Sequence, residues 1–146
     1  MKRIKFKADL CQGCMTCVTF CSQKHTGIAS PKLSRIIIDP GIFNGKHKAT
    51  TCMQCNNPKC VEVCPNKAIF LNAEGIYWEI NYDLCDGCGL CVENCPFNAM
   101  RYNLREEIPF KCDLCGGDPE CVKVCPTNAL TLIELSKIGG LNHDKK

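Results

Sequence analysis

Sixteen of the 146 residues are cysteine, and they fall into four quartets. These are Cys11, Cys14, Cys17 and Cys21; Cys52, Cys55, Cys60 and Cys64; Cys85, Cys88, Cys91 and Cys95; and Cys112, Cys115, Cys121 and Cys125. The first and third read Cys-x2-Cys-x2-Cys-x3-Cys, while the second and fourth widen the middle gap to four and five residues. That is the spacing of chains that wrap [4Fe–4S] cubanes, in which three cysteines of a run hold one cluster and the fourth reaches a second. A chain so constrained must fold around four inorganic centres, with all sixteen cysteines as candidate metal ligands.

Other uses of cysteine fit less well. Structural zinc sites pair two separated Cys-x2-Cys knuckles and have no need of a third cysteine at x2 or a fourth at x3 followed by proline. Disulfides are expected in secreted chains, and Met1-Lys2-Arg3-Ile4-Lys5-Phe6-Lys7 has charge with no apolar segment behind it. A cytoplasmic chain without a membrane span is the expectation. A [3Fe–4S] centre usually shows as a missing ligand, and no quartet lacks one, so the expected cofactors are four [4Fe–4S] clusters.

Aromatic residues make up 7% of the chain with a single tryptophan, little from which to build a large apolar core. The clusters are expected to take over part of the core's role. The formal charge of +3 counts each cysteine as neutral. An oxidised [4Fe–4S] core bound by four thiolates nets about −2, so four such sites leave the loaded chain near −5. The eighteen Lys and Arg therefore read as counter-charge and solvated surface rather than as a nucleic-acid footprint.

The quartets are copies in the order A-B-A-B. Asp9-Leu10-Cys11-Gln12-Gly13-Cys14 matches Asp83-Leu84-Cys85-Asp86-Gly87-Cys88, and Pro58-Lys59-Cys60-Val61-Glu62-Val63-Cys64-Pro65 matches Pro119-Glu120-Cys121-Val122-Lys123-Val124-Cys125-Pro126. Three fourth cysteines are followed by proline and then by Ala68-Ile69, Ala99-Met100 or Ala129-Leu130. Proline stops a helical turn, and the alanine with its apolar neighbour opens a strand. Ile76, Trp78 and Ile80 alternate with Tyr77 and Glu79 as a strand would, and Ile36-Ile37-Ile38 reads as another. Short helices are expected from the third cysteine to the fourth, as from Cys17 to Cys21. Gly13, Gly87, Gly116 and Gly117 suit loops whose backbone comes close to an anionic cluster. The fold class implied is α+β, with short hairpin strands and one- or two-turn helices.

A tight loop can present three sulfurs to one cubane, and a cysteine from a partner quartet supplies the fourth corner. Tandem pairing (one with two, three with four) and nested pairing (two with three, one with four) both join an A to a B. The 20 residues between Cys64 and Cys85 hold two strands and a turn easily. The 30 between Cys21 and Cys52, with Pro31, Pro40, Gly41 and Gly45, look like an added excursion. Spacing alone leaves both arrangements open.

From about Lys7 to Leu135 the chain resembles the sixteen-cysteine, double-ferredoxin electron-transfer subunits of multisubunit oxidoreductases. In that family pairing is nested, so the resemblance implies sites at Cys11, Cys14, Cys17 with Cys125; Cys112, Cys115, Cys121 with Cys21; Cys52, Cys55, Cys60 with Cys95; and Cys85, Cys88, Cys91 with Cys64. It implies two ferredoxin-like dicluster modules interleaved in one polyferredoxin domain. The outer module would span about 1–30 plus 105–135, the inner module about 48–104, and 136–146 would be a tail. Members serve molybdenum and tungsten enzymes of the dimethyl-sulfoxide reductase and formate dehydrogenase kind, carbon monoxide dehydrogenase and hydrogenases. The motif Lys111-Cys112-Asp113-Leu114-Cys115-Gly116-Gly117-Asp118-Pro119 and the run Cys21-Ser22-Gln23-Lys24-His25 are most similar to the small subunits that accompany tungsten aldehyde oxidoreductases. The implied partners are a large catalytic subunit and a flavin subunit or soluble ferredoxin, with self-association as a further expectation. Ser22 departs from the proline found after the other three fourth ligands, as is common in the family's first quartet.

Nothing in the sequence suggests substrate chemistry of its own. It has no dinucleotide glycine motif or P-loop, as a free-standing reductase would need, and no basic strip or helix-turn-helix, as a nucleic-acid regulator would need. His25, His47 and His143 lack a recognisable nucleophile or acid partner and read as surface or loop-supporting residues. His25 is the one placed to tune a cluster, through its nearness to Cys21. Segments 22–51 and 136–146 carry little expected cluster duty and are candidates for docking or edge cover.

Because the ligands are also the cross-links, folding and cluster insertion should be coupled. Loaded protein should contain roughly sixteen iron and sixteen sulfide per polypeptide, and stripped protein should give neither a cooperative melt nor native near-ultraviolet dichroism. A cooperative melt of the stripped protein would break that coupling.

Overall fold

Each of the first three cysteine quartets is followed by a pair of short antiparallel strands, and the strand after the fourth pairs with the first strand of the chain, closing it on itself. The computed structural model describes residues 1–42 and 45–135. Strand β1 (Lys2–Phe6) leads to quartet one and helix α1 (Thr16–Thr26). Strands β2 (Ile36–Asp39) and β3 (Lys48–Thr51) pair next, before quartet two and helix α2 (Lys59–Glu62). Strands β4 (Ile69–Leu71) and β5 (Trp78–Ile80) form the following hairpin. Quartet three carries helix α3 (Leu90–Glu93) and is followed by β6 (Arg101–Asn103) and β7 (Ile108–Phe110). Quartet four carries helix α4 (Glu120–Lys123), and β8 (Leu130–Glu134) then pairs with β1 in the register Lys2↔Glu134 to Phe6↔Leu130. The architecture is α+β, with four two-stranded sheets among the described residues.

The helices pack in nested pairs, α1 on α4 and α2 on α3. Two buried clusters follow from that pairing. One gathers Ile4, Val18, Ile36, Ile38, Leu114 and Leu130 around Cys17, Cys21, Cys112 and Cys121. The other sets Ile69 and Met100 against Cys91. Cysteine supplies a large share of each core, as the shortage of aromatic residues requires.

Three helices are single turns and one is not. Cys64, Cys95 and Cys125 each precede a proline, which disfavours helical backbone at the cysteine, so α2, α3 and α4 stop before it. After Cys21 comes Ser22, and α1 runs through both to Thr26 before ending on Gly27, whose φ is 70°. The expectation of one- or two-turn helices is corrected at this place, where α1 makes three turns. Ser22 is fully buried. Its hydroxyl donates to Thr19 O at 2.9 Å and accepts from Ser30 N–H at 2.9 Å, so it pins the returning loop to the helix.

The strand expected at 76–80 begins at Trp78, because the Asn72 side-chain oxygen accepts the N–H groups of Ile76 and Tyr77 (2.7 and 3.0 Å) and holds them in a turn. Residues 22–51 also do more than cover an edge. Arg101 donates to Pro31 O and Ser34 O at 2.9 Å each, and Ile36 and Ile38 enter the core. The tail 136–146 and its His143 lie outside the described residues.

Ser22→Pro would restore the repeat's sequence at the expense of α1, removing an N–H from the helix interior and forcing a ring against the preceding turn, a loss of about 3 kcal/mol. The melting temperature of the loaded variant should fall accordingly. No change would mean that α1 does not depend on continuing past Cys21.

Candidate metal centres

The loops set sulfur positions through backbone conformations that recur from quartet to quartet. The residue just before each second cysteine is left-handed: Gly13 (φ 67°), Gln54 (48°), Gly87 (75°) and Leu114 (54°). Two of the four are therefore non-glycine residues held in an unfavourable region, a cost that persists only where the surroundings fix it. Gln54 shows the means. It is fully buried, its Nε2 donates to Cys112 O at 2.9 Å, and its Oε1 accepts from Trp78 N–H at 2.8 Å.

A second recurring element serves the fourth cysteine. Lys67, Asn98 and Asn128, each three residues after it, are all left-handed (φ 51°, 50° and 54°). This turn swings the next N–H back onto sulfur: Ala68 N–H donates to Cys64 Sγ at 3.3 Å and Ala99 N–H to Cys95 Sγ at 3.4 Å. At Cys125 burial raises the thiol pKa, but N–H groups of Leu130, Thr127 and Ala129 with the Thr127 hydroxyl outweigh it and leave the pKa lowered. Cys21 has no such turn, since α1 continues beyond it. Arg35 N–H, carried in by the excursion, donates to Cys21 Sγ at 3.3 Å instead.

Sulfurs from different quartets meet in nested groups. Cys11, Cys14, Cys17 and Cys125 line one small cavity, and Cys64, Cys85, Cys88 and Cys91 line another. Burial, and then the charges of Cys52, Cys95 and Cys55, push the Cys60 thiol up to about 11. Burial, and then Cys112, Cys21 and Cys115, push Cys121 up likewise. The third cysteine of every quartet is raised in this way, Cys17 to about 11 and Cys91 to about 12. The bare thiols of Cys17, Cys60 and Cys91 stay protonated at neutral pH, so metal must displace their protons to bind. The groups also adjoin one another: Cys91 feels Cys60, Cys112 feels Cys52, and Cys121 feels Cys17. Taken in that order the four groups form a series of neighbours, and the solvent-exposed cysteines are Cys14 and Cys88.

His25 has the acid partner that its sequence surroundings did not reveal, and the cysteine it meets is Cys115 rather than Cys21. Its Nε2 lies 3.5 Å from Cys115 Sγ and 3.6 Å from Asp113 Oδ1. Asp113 also accepts from Cys115 N–H (3.0 Å) and pairs with Arg35 at 2.5 Å. Burial, then the Arg35 charge, lowers the His25 pKa, which favours a neutral imidazole beside the sulfur. His47 supports a loop. Its ring lies against Gly13, where a Cβ would come within 2.7 Å of it, and its Nδ1 is buried without a hydrogen-bond partner. The sequence offered no signal for Arg35, Asp113 or Gln54, because each acts by reaching across the fold.

Residues 42–135 match the 4Fe-4S dicluster domain family, and residues 8–24 match a 4Fe-4S binding domain. The protein is 34% identical over 114 residues to the B polypeptide of the polysulfide reductase of Wolinella succinogenes, covering 71% of this sequence and 57% of that one. It is 38% identical over 93 residues to the aliphatic sulfonate oxidoreductase, polyferredoxin-like subunit of Pyrococcus furiosus, covering 64% and 53%. It therefore spans little more than half the length of either relative. Among solved structures it is similar to a polypeptide of the active site complex BamBC of benzoyl coenzyme A reductase with 1,5-dienoyl-CoA, at 25% identity and a TM-score of 0.56, covering 100% of this sequence and 82% of that one. Sixteen thiols gathered in fours fit four [4Fe–4S] clusters. No helix among the described residues is long and apolar enough to cross a membrane.

Gly87 tests the loops. A Cβ there would run into the Glu107 backbone carbonyl, whereas one at Gly116, also left-handed, meets nothing. Gly87→Ala should lose about a quarter of the iron and sulfide, and Gly116→Ala should keep more of both. Equal loss in the two variants would show that left-handed strain alone, not the close approach, controls the loop.

Proposed function

The chain belongs to the 4Fe-4S dicluster domain family, and from that premise we propose that it is the electron-relay subunit of an oxidoreductase complex. The ligand sets would be Cys85, Cys88, Cys91 with Cys64; Cys52, Cys55, Cys60 with Cys95; Cys112, Cys115, Cys121 with Cys21; and Cys11, Cys14, Cys17 with Cys125. That order follows the file of adjoining thiols. The first two sets form an inner ferredoxin-like module of about 48–104, and the last two an outer module of about 1–30 plus 105–135.

The observation that carries the reading is the position of the exposed cysteines. Cys14 and Cys88 lie in the two end sets, and the two middle sets have no exposed member. A series whose exposed ligands lie at its two ends suits passage from one partner to another. A bound [4Fe–4S] cluster supplies one-electron storage over a delocalised iron–sulfide core. The protein's own groups would hold and tune it: thiolates bind iron, and backbone N–H groups of Ala68, Ala99 and Arg35 offset charge on sulfur.

One partner is a large catalytic subunit, which we assign to the tungsten aldehyde oxidoreductase kind on the compact motifs around Cys21 and Cys112. Formate dehydrogenase, carbon monoxide dehydrogenase and hydrogenase subunits are the alternatives within the same role. The second partner is a flavin subunit or a soluble ferredoxin, and self-association would use the same end faces.

Purified loaded protein should bleach with dithionite and turn over no substrate, and electron flow to an acceptor should appear when the large subunit encoded beside it is added. Turnover by the protein alone would end the relay reading. Metal analysis of the large subunit decides its kind, since tungsten is expected and nickel or molybdenum would redirect the assignment.

A further inference from the structure

Lys111 is the charged side chain that the fold buries among the described residues, with 3% of its surface exposed. Its Nζ donates to Trp78 O and, at 2.8 Å, to Cys112 O. Lys2, Arg35, Lys59 and Lys123 pair with carboxylates, whereas Lys111 is held by these two backbone carbonyls. Neutral oxygens satisfy hydrogens but do not balance charge, and a buried cation without an anion is strongly unfavourable.

Its surroundings say where the anion would be. Trp78, which accepts from Lys111 through its carbonyl, donates its indole N–H to Cys55 O at 2.9 Å. Cys112 O receives both Lys111 and Gln54, and Gln54 also binds Trp78 N–H. This buried polar bridge ties the loop of Cys52 and Cys55 to that of Cys112, and the ammonium sits in it.

We propose that Lys111 is the shared counter-ion of the two middle sites, holding the reduction potentials of both above those of the same sites without it. The inference rests on the ligand sets proposed above. Each site nets about −2 when oxidised and gains a further negative charge on reduction, so a fixed cation between two of them stabilises the reduced form of each. In a dry interior that effect is little screened by salt. It also eases the repulsion between neighbouring sites that hold electrons together, which a relay meets whenever it is filled.

The test is a redox titration of the loaded full-length protein, followed by electron paramagnetic resonance, in Lys111→Met, Lys111→Gln and Lys111→Arg. In the Met and Gln variants two of the four midpoint potentials should fall and two should stay, and Arg should hold all four near their original values. Cys14→Ser and Cys88→Ser identify the signals of the end sites, which should be the unmoved pair. Four unmoved potentials at full iron content, or movement at the end sites alone, would overturn the proposal. If Met fails to load, Gln decides, since it keeps a donor and loses the charge; unchanged potentials in Gln count against the counter-ion. Loss of the middle sites in Met and Gln but not in Arg supports it, and loss in all three overturns it, because shape rather than charge would then be required. Fewer than four reducible sites in the unsubstituted protein would defeat the ligand sets themselves, a result distinct from four sites that Lys111 does not influence.

Discussion

On the proposed ligand sets, the rest of the structure depends on one constraint: each site joins sulfurs from different quartets. No loop closes a group of four by itself, so each group is a long-range cross-link. Cys125 reaches the loop of Cys11 only because β8 pairs with β1, and β8 lies beside β1 because α4 packs on α1. Sheets of two strands and helices of one turn have little stability alone. Here they act as spacers, whose lengths are set by the need to return a fourth sulfur to a distant loop.

Much of this arrangement can be read from the order of residues. The A-B-A-B copies, the strands after Ala68, Ala99 and Ala129, and the strand at Ile36 are all local signals, in which a proline or an apolar run determines the next few residues. The departures are local in cause but distant in effect. Replacing a proline by Ser22 lengthens one helix, the lengthened helix removes the turn that would have brought an N–H to Cys21, and the excursion supplies Arg35 in its place. Segment 22–35 therefore carries cluster duty, which its lack of cysteine concealed.

Of the polar residues around the sites, His25 was legible as a neighbour of a ligand loop but its partners and the rest were not, and for a physical reason. His25 and Asp113 are 88 positions apart in sequence, and Gln54 and Cys112 are 58 apart, so no periodicity or local motif joins them. Left-handed backbone at Gln54 and Leu114 is equally hidden, because sequence marks such positions by glycine and here buried hydrogen bonds and packing hold them instead. Lys67 makes the same point beside Asn98 and Asn128. The turn is the same in all three, and only the asparagines announce it.

Charge is what unites the local and distant features. A folded protein that buries anionic centres must offset them, and it does so by three means of increasing reach. Backbone N–H groups of Ala68, Ala99 and Arg35 act on single sulfurs, at positions fixed by turns or by the excursion. The imidazole of His25, held beside Asp113, acts on Cys115 from another element. Lys111 acts between loops, as a full charge at the junction of the two halves of the file. Dipoles fade within a few ångströms while a buried charge does not, so on the proposed ligand sets the junction of the two middle sites is the place where a lysine has the greatest effect.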